Sequence, residues 1–209
     1  MWISERRWRR MEELLDAKQP CLKVLLDGVH DSRNISAVMR SAEAVGVLDF
    51  YYALELAGHV KTHRTVTQGA HRWLRKARIA TEKRVAFLRA LREEGYQIVV
   101  TELGEGSVDF RTIDYTRPTL LVFGNEKEGV SPELSSEATH RAVIPMHGMV
   151  QSLNVSVAAA LLLYEAERQR VEAGYYETPR LDAGTREELL EEWSRRDGLL
   201  RRSRGRLGM

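Results

Sequence analysis

Short continuous apolar runs alternate along the chain with longer stretches in which apolar residues recur at helical spacing. Mostly apolar or β-branched runs predict strands at 22–26, 48–54, 97–101, 118–124 and 141–145. The segment 73–79, which is not a continuous apolar run, is a further candidate strand. The stretches with helical spacing are 4–18, 34–45, 82–94, 152–173 and 185–193. Strands that alternate with helices are typical of an α/β domain. We therefore predict a largely parallel sheet flanked by helices, with helical extensions at both ends.

Changes in composition divide the chain into three regions. Residues 1–19 form a basic helical extension, 20–174 carry the alternating strands and helices, and 175–209 form a helical, Arg-rich extension. Within the middle region, the polar segment 55–72 predicts a long functional loop. The tail 195–209 has few apolar residues, so we expect it to be flexible or to become ordered only on RNA.

Length and composition limit the possible classes of protein. A chain of 209 residues that is 43% hydrophobic can form one core-forming domain. The single cysteine, Cys21, excludes an intramolecular disulfide and a cysteine-based metal cluster within one chain, and we predict no metal site. The most apolar stretch, 155–164, has only about half of the roughly 20 residues that a membrane span needs. No segment resembles a signal peptide, so we expect a cytoplasmic protein without a membrane partner.

Basic residues are concentrated locally, since 30% of the residues are charged while the net charge is only +2. The start of the first predicted helix carries Arg6, Arg7, Arg9 and Arg10. Cations at a helix N-terminus oppose the helix dipole and cost some stability, which favours a role such as phosphate binding. A solvated face balanced by nearby acidic residues is the other interpretation.

Three segments that follow predicted strands combine residues suited to chemistry. The first, 31–40, carries Asn34, which can cap the next helix or orient a ligand, and Arg40 among small residues. Arg40 can form a structural ion pair or act in catalysis. The second, 124–131, is a Gly-containing loop that lacks the Gly-Lys-Ser/Thr ending of a phosphate-binding loop. Its Glu126 can accept hydrogen bonds or be solvated.

The third segment, 144–157, contains a Pro-Met-X-Gly-Met sequence followed by Ser152 and Asn154. Such a loop exposes backbone groups that can bond an adenine edge while Met side chains cover its face. Ser152 and Asn154 begin an Ala-rich helix, whose N-terminus favours a carboxylate. A buried loop with an ordinary helix cap explains the pattern equally well.

Taken together, the three segments resemble the three motifs of the SPOUT class of RNA methyltransferases, specifically the TrmH family of ribose 2'-O-methylases. Order and spacing agree, and the resemblance covers roughly 20–174. It implies a deep C-terminal trefoil knot in the α/β fold, S-adenosylmethionine as cofactor and a homodimer in which Arg40 comes from the opposite subunit. The implied cofactor contacts are Thr101, Leu103, Gly124, Asn125, Gly129, Ile144, Met146, Gly148, Met149, Ser152 and Leu153.

The resemblance also implies a reaction at a ribose 2'-OH, which is a poor nucleophile that must lose its proton. In the family the motif-one arginine, here Arg40, takes the role of proton acceptor with the help of an RNA phosphate. Because arginine is normally protonated, a guanidinium that orients the phosphate is an equal alternative. The remaining implied site residues, which shape the site and position ribose and cofactor, are Asn34, Glu126, Ser152 and Asn154.

The basic extensions resemble those of the branch that methylates guanosine 18 in the tRNA D-loop. Relatives that modify 23S rRNA usually carry a separate N-terminal RNA-binding domain, for which the roughly 20 residues before the first strand leave no room. A family member acting on rRNA and a non-catalytic RNA-binding protein remain as alternatives. His71 matches a family segment near the RNA site, although it can also serve packing. The predicted RNA contacts are Arg6, Arg7, Arg9, Arg10, Lys18, His71, Arg168, Arg170 and Arg180.

Overall fold

The computed structural model describes residues 3–53, 63–125 and 127–206. The chain divides into two compact units, one formed by Pro20–Ala173 and the other by Met1–Gln19 with Gly174–Met209. In the larger unit the helices are α2 (Ser32–Ala44), α3 (Arg64–Thr67), α4 (Arg84–Glu93), α5 (Pro132–Ser135) and α6 (Val155–Glu172). The smaller unit contains α1 (Glu5–Asp16) and α7 (Ala183–Arg206).

The larger unit is built on a seven-stranded sheet. Its strands are β1 (Leu22–Asp27), β2 (Asp49–Ala53), β3 (Arg75–Arg78), β4 (Gln97–Thr101), β5 (Val108–Asp109), β6 (Thr119–Phe123) and β7 (His140–Val143). They lie in the order β3-β2-β1-β6-β4-β7-β5, and each neighbouring pair is parallel. The predicted α/β class with a parallel sheet flanked by helices is therefore confirmed.

Each face of the sheet has its own hydrophobic core. Inward residues of α2 and α6, such as Met39 and Leu162, cover one face and share a core with Phe50 of β2. The other face packs against α4 and α5, where Leu88 and Leu134 are fully buried. The central strand β1 is buried at every position, because parallel strands covered on both faces have no solvated side.

Several elements differ from the prediction in ways that have physical causes. The helix predicted to begin at Asn34 begins at Ser32, because the side chain of Asp31 caps it by accepting from the Arg33 amide. Asn34 is therefore not the cap. The strand β5 and the helix α5 are two and four residues long, too short for their periodicity to be visible. The predicted loop 55–72 contains α3, while residues 54–62 lie outside the described residues.

In the smaller unit, the prediction of a flexible tail is wrong for residues 195–206, which continue α7. The cause lies in side chains within this unit. Asp197 is buried and accepts hydrogen bonds from Arg7, and Trp193 is buried beneath Lys18, whose Nζ is 5.9 Å from its ring centre. Glu192 and Arg196 form an ion pair one turn apart, which adds modest support to the helix.

A membrane-spanning helix is not found among the described residues, because none of their helices combines the required length with sufficient hydropathy.

Candidate active site

The site is located at the carboxyl edge of four adjacent strands, β1, β6, β4 and β7. Pairing of Leu26 with Phe123 and of Thr101 with Ala142 brings the ends of these strands level with one another. The first, second and third motif segments follow β1, β6 and β7. Of the contacts predicted near β4, Thr101 ends the strand and Leu103 follows it. The parallel register thus gathers four loops that are far apart in sequence, as is typical of ligand sites in α/β proteins.

Two asparagines join the first and third segments directly. Asn154 Nδ2 donates to Asn34 Oδ1 over 3.1 Å, although 120 residues separate them. The Oδ1 atom of Asn154 also accepts from the backbone amide of Ser156, which makes Asn154 the N-cap of α6. One side chain therefore begins the long helix and fixes the position of Asn34.

The second segment forms a closed loop after β6. The amides and carbonyls of Asn125 and Gly129 pair across it, and Asn125 Oδ1 accepts from the amides of Lys127 and Glu128. A Cβ atom on Gly124 would lie 1.9 Å from the carbonyl carbon of Gly129, so only glycine fits there. Gly129 has φ of 72°, a conformation that favours glycine. Glu126, predicted from sequence, lies outside the described residues.

Large apolar side chains are exposed around this edge. Leu103 is 61% exposed and Met149 is 100% exposed, whereas Met146 and Leu153 are partly buried. Ile144 packs against the core next to the α2 and α6 residues. Exposed apolar groups beside strand-end backbone groups can cover the ring of a nucleoside while the backbone bonds its polar edge. Gly148 and Ser152 are exposed in the same segment.

Arg40 lies on the exposed side of α2, one and two-thirds turns after Asn34. Its Nη1 is 3.4 Å from the carbonyl oxygen of Val66 in α3, a contact at the long end of hydrogen bonding. Near it, Thr67 Oγ1 and His71 Nδ1 are 2.8 Å apart, which fixes the orientation of the partly buried imidazole. The short helical turn Ala70–Arg72, which holds His71, packs against α2, the helix that carries Arg40.

Two carboxylates that support the loops were missed in the sequence. Asp27, buried at the end of β1, accepts from Arg84 Nη1 at 2.7 Å and from the Ser131 amide at 2.8 Å, anchoring the end of the second segment. Glu102, next to Thr101, accepts from Ser135 and Arg141. The visible signal for Asp27 was a carboxylate at the end of a mostly apolar strand.

Two predicted RNA contacts are corrected by their burial. Lys18 is fully buried over Trp193. Arg170 is 1% exposed and donates to the carbonyl oxygens of Tyr115, Cys21 and Arg117, so it ties α6 to the amino-terminal edge of the sheet. Neither cation can reach a phosphate from these positions.

The other predicted RNA contacts differ in their partners. Arg6 is exposed, Arg7 binds Asp197, Arg9 binds Glu5 and Arg10 binds Glu13. Arg168 is half exposed and pairs with Glu165 and Glu172, and Arg180 lies over the ring of Tyr175 at 3.7 Å. The exposed pairs of Arg9, Arg10 and Arg168 are weak in water, so these three guanidinium groups can exchange a carboxylate for a phosphate. Arg7 differs, because its partner Asp197 is buried.

The fold and the site match one family of enzymes. Residues 21–164 match the model of the SpoU rRNA Methylase family, which is most of the chain, and the protein belongs to this family.

Among its relatives is the tRNA (guanosine(18)-2'-O)-methyltransferase of Thermus thermophilus, which is 47% identical over 92% of this chain and 98% of the relative. The crystal structure of the A. aeolicus TrmH/SpoU tRNA modifying enzyme superposes with a TM-score of 0.88 at 44% identity, covering 92% of this chain and 97% of that one. The AdoMet-bound rRNA methyltransferase of Sinorhizobium meliloti gives a TM-score of 0.63 at 36% identity, covering 75% and 59% of the two chains.

Proposed function

We propose that this protein transfers a methyl group from S-adenosylmethionine to a ribose 2'-OH of tRNA, at guanosine 18 of the D-loop. The observation that carries the proposal is the convergence of the three motif segments at one sheet edge, joined by the bond between Asn34 and Asn154. Relatives named for this reaction match more than nine-tenths of the chain.

The residues at the sheet edge fit S-adenosylmethionine. The exposed Leu103 and Met149 offer apolar cover for an adenosine, and the backbone at Thr101, Gly124 and Ile144 offers hydrogen-bonding groups for its polar edge. The N-terminus of the 18-residue helix α6 favours a carboxylate nearby. When bound, the cofactor supplies an electrophilic methyl group. The further proposed contacts are Asn125, Gly129, Met146, Gly148, Ser152 and Leu153.

The chemistry assigned to this chain's residues is activation of the ribose oxygen. The 2'-OH has to lose its proton as it attacks, and the guanidinium of Arg40 is exposed and able to bind the neighbouring phosphate. Since arginine stays protonated, we assign Arg40 to hold that phosphate and to stabilise the developing negative charge. Asn34 and Asn154 position the ribose, and we assign supporting roles to Ser152 and Glu126.

An apolar stripe on α6 supports a homodimer. Val157, Leu161, Tyr164 and Val171 recur at spacings of four, three and seven residues, and each is 40% to 54% exposed. Residues at these spacings share one helix face. An exposed apolar face on a helix that starts at the active site fits a second copy of the chain, which would supply Arg40 to the first.

The family resemblance also leads us to propose a trefoil knot. Strand β7 is separated from β1 by β4 and β6, yet α6, which follows β7, packs against α2, which follows β1. Residues 144–154 must therefore cross the ends of two intervening strands. Such a crossing supports a threaded loop, which ordinary connection rules would not suggest.

Transfer of labelled methyl from S-adenosylmethionine tests the function. We expect the purified protein to methylate a tRNA transcript that contains guanosine 18. We expect it not to methylate a 23S rRNA fragment. Preferential methylation of rRNA would favour the other substrate of the family. Absence of cofactor binding in calorimetry would instead indicate a non-catalytic RNA-binding protein.

A further inference from the structure

The edge strand β3 has an unusual composition for a sheet. Its sequence is Arg-Lys-Ala-Arg, and all four residues are exposed. It is the outermost strand of the sheet beside β2. Two alternating sets of side chains therefore project from it, one to each face of the sheet.

The register with β2 shows which side chains share a face. Lys76 pairs with Phe50 and Arg78 pairs with Tyr52. Phe50 and Tyr52 belong to the core that α2 and α6 cover, so Lys76 and Arg78 project from that face. Arg75, on the other face, is committed to the buried Asp49 through two hydrogen bonds of 2.5 and 2.9 Å.

Lys76 and Arg78 continue the side of the molecule on which Arg40 lies. Arg40 is on α2 and contacts α3, and α3 is linked to His71 through Thr67. The chain then runs from His71 directly into β3. Arg78 is one residue from the carboxyl end of the sheet, because its partner Tyr52 directly precedes Ala53, the last residue of β2. Basic side chains thus extend from the catalytic edge onto the outermost strand.

We propose that Lys76 and Arg78, here called the basic strand face, bind the phosphate backbone of the substrate tRNA next to the nucleotide that is methylated. The proposal rests on the function proposed above. Two cations on one face, about 7 Å apart along a strand, suit a charged backbone that passes the edge of the sheet. They provide affinity without reading the sequence, as phosphate contacts do.

Protection of the sheet edge is the competing explanation, because charged side chains prevent edge strands from pairing with other chains. The two explanations differ in whether the sign of the charge on these side chains matters. Either charge protects an edge, whereas only a positive charge attracts RNA. Reversal of charge at the same two positions therefore separates them.

The experiment measures binding of full-length protein to a tRNA transcript over a range of salt concentrations. We expect Lys76→Gln/Arg78→Gln to weaken binding by about tenfold or more and to reduce the salt slope by about 2, one per lost phosphate contact. Lys76→Glu/Arg78→Glu should bind still more weakly while remaining as soluble as the wild type. The control is Lys83→Gln, an exposed cation just before α4 on the opposite face, which should keep the wild-type slope.

Calorimetry with S-adenosylmethionine should give the wild-type affinity for all three variants. That result would show that the substitutions leave the cofactor site intact. Wild-type tRNA affinity and salt slope in the Glu variant would overturn the proposal in favour of edge protection. Equal losses in the control would overturn it as well, because they would show a general effect of charge. Methyl transfer by the wild type is scored separately. Its failure would refute the proposed function, while the binding series would still decide on the basic strand face.

Discussion

Asn154 donates to Asn34 across 3.1 Å while its own Oδ1 caps α6 through the amide of Ser156. This single amide couples the start of α6 to Asn34 in the first turn of α2. Because the donor and the acceptor of the amide have separate partners, substitutions can remove one interaction and keep the other.

Asn154→Asp should keep the helix cap of α6 and lose most of the methyl-transfer activity. A carboxylate still accepts from the Ser156 amide and is favoured at a helix N-terminus, so stability should stay near that of the wild type. It cannot donate to Asn34, and the resulting displacement should lower kcat on the order of a hundredfold. Asn154→Ala should lose as much activity and about 1 kcal/mol of stability as well. Full activity of Asn154→Asp would show that the bond to Asn34 is not needed.

Mixing two inactive variants tests the proposed sharing of the site between subunits. Arg40→Ala should abolish transfer while cofactor binding survives. If Arg40 acts across the dimer, a mixed dimer of Arg40→Ala and Asn154→Asp contains one intact site. After subunit exchange, random pairing in a closed dimer predicts about a quarter of wild-type activity. A mixture that stays as inactive as its components would place Arg40 and Asn154 in the same subunit's site.

Arg170 should contribute to the stability of the fold and not to the binding of tRNA. Arg170→Met would leave three carbonyl oxygens without their buried donor, so we expect a loss of about 3 kcal/mol or more in denaturant unfolding. Arg168→Met removes exposed ion pairs two residues away and should cost less than about 1 kcal/mol. Equal stability of the two variants would contradict the structural role of Arg170. The tRNA salt slope serves as the second measurement and should not change in Arg170→Met.

Asp49 should contribute to the loss of stability in acid. Burial alone would raise the pKa of Asp49, but hydrogen bonds from Arg75 and Lys23 outweigh it and lower the pKa below 3.8. A lowered folded-state pKa gives stability that is present above the unfolded value and is lost as pH falls through the folded value. The wild type should therefore exceed Asp49→Asn in stability at neutral pH, with a difference that shrinks below pH 3.8. A constant difference between pH 7 and pH 2 would contradict this.

Much of the sheet and of the site could be predicted from sequence. Buried strands are mostly apolar or β-branched runs. The bounds of β4 were predicted to the residue, and those of β1 and β6 to within one residue. The short elements β5 and α5 could not be predicted, because two to four residues show no period. Burial of Lys18 and Arg170 was also invisible, since a long cation looks the same in sequence whether it meets water or carbonyl oxygens. The helical course of residues 195–206 depends on partners in α1 that are distant in the chain.

The proposed reaction is tested most directly by mapping the methylated ribose. Wild-type protein, labelled S-adenosylmethionine and a tRNA transcript should yield one 2'-O-methylated nucleotide, guanosine 18. Replacement of that ribose by its 2'-deoxy form should abolish incorporation, because the accepting oxygen is then missing. Label on a base, on another ribose or on the 2'-deoxy substrate would contradict the account.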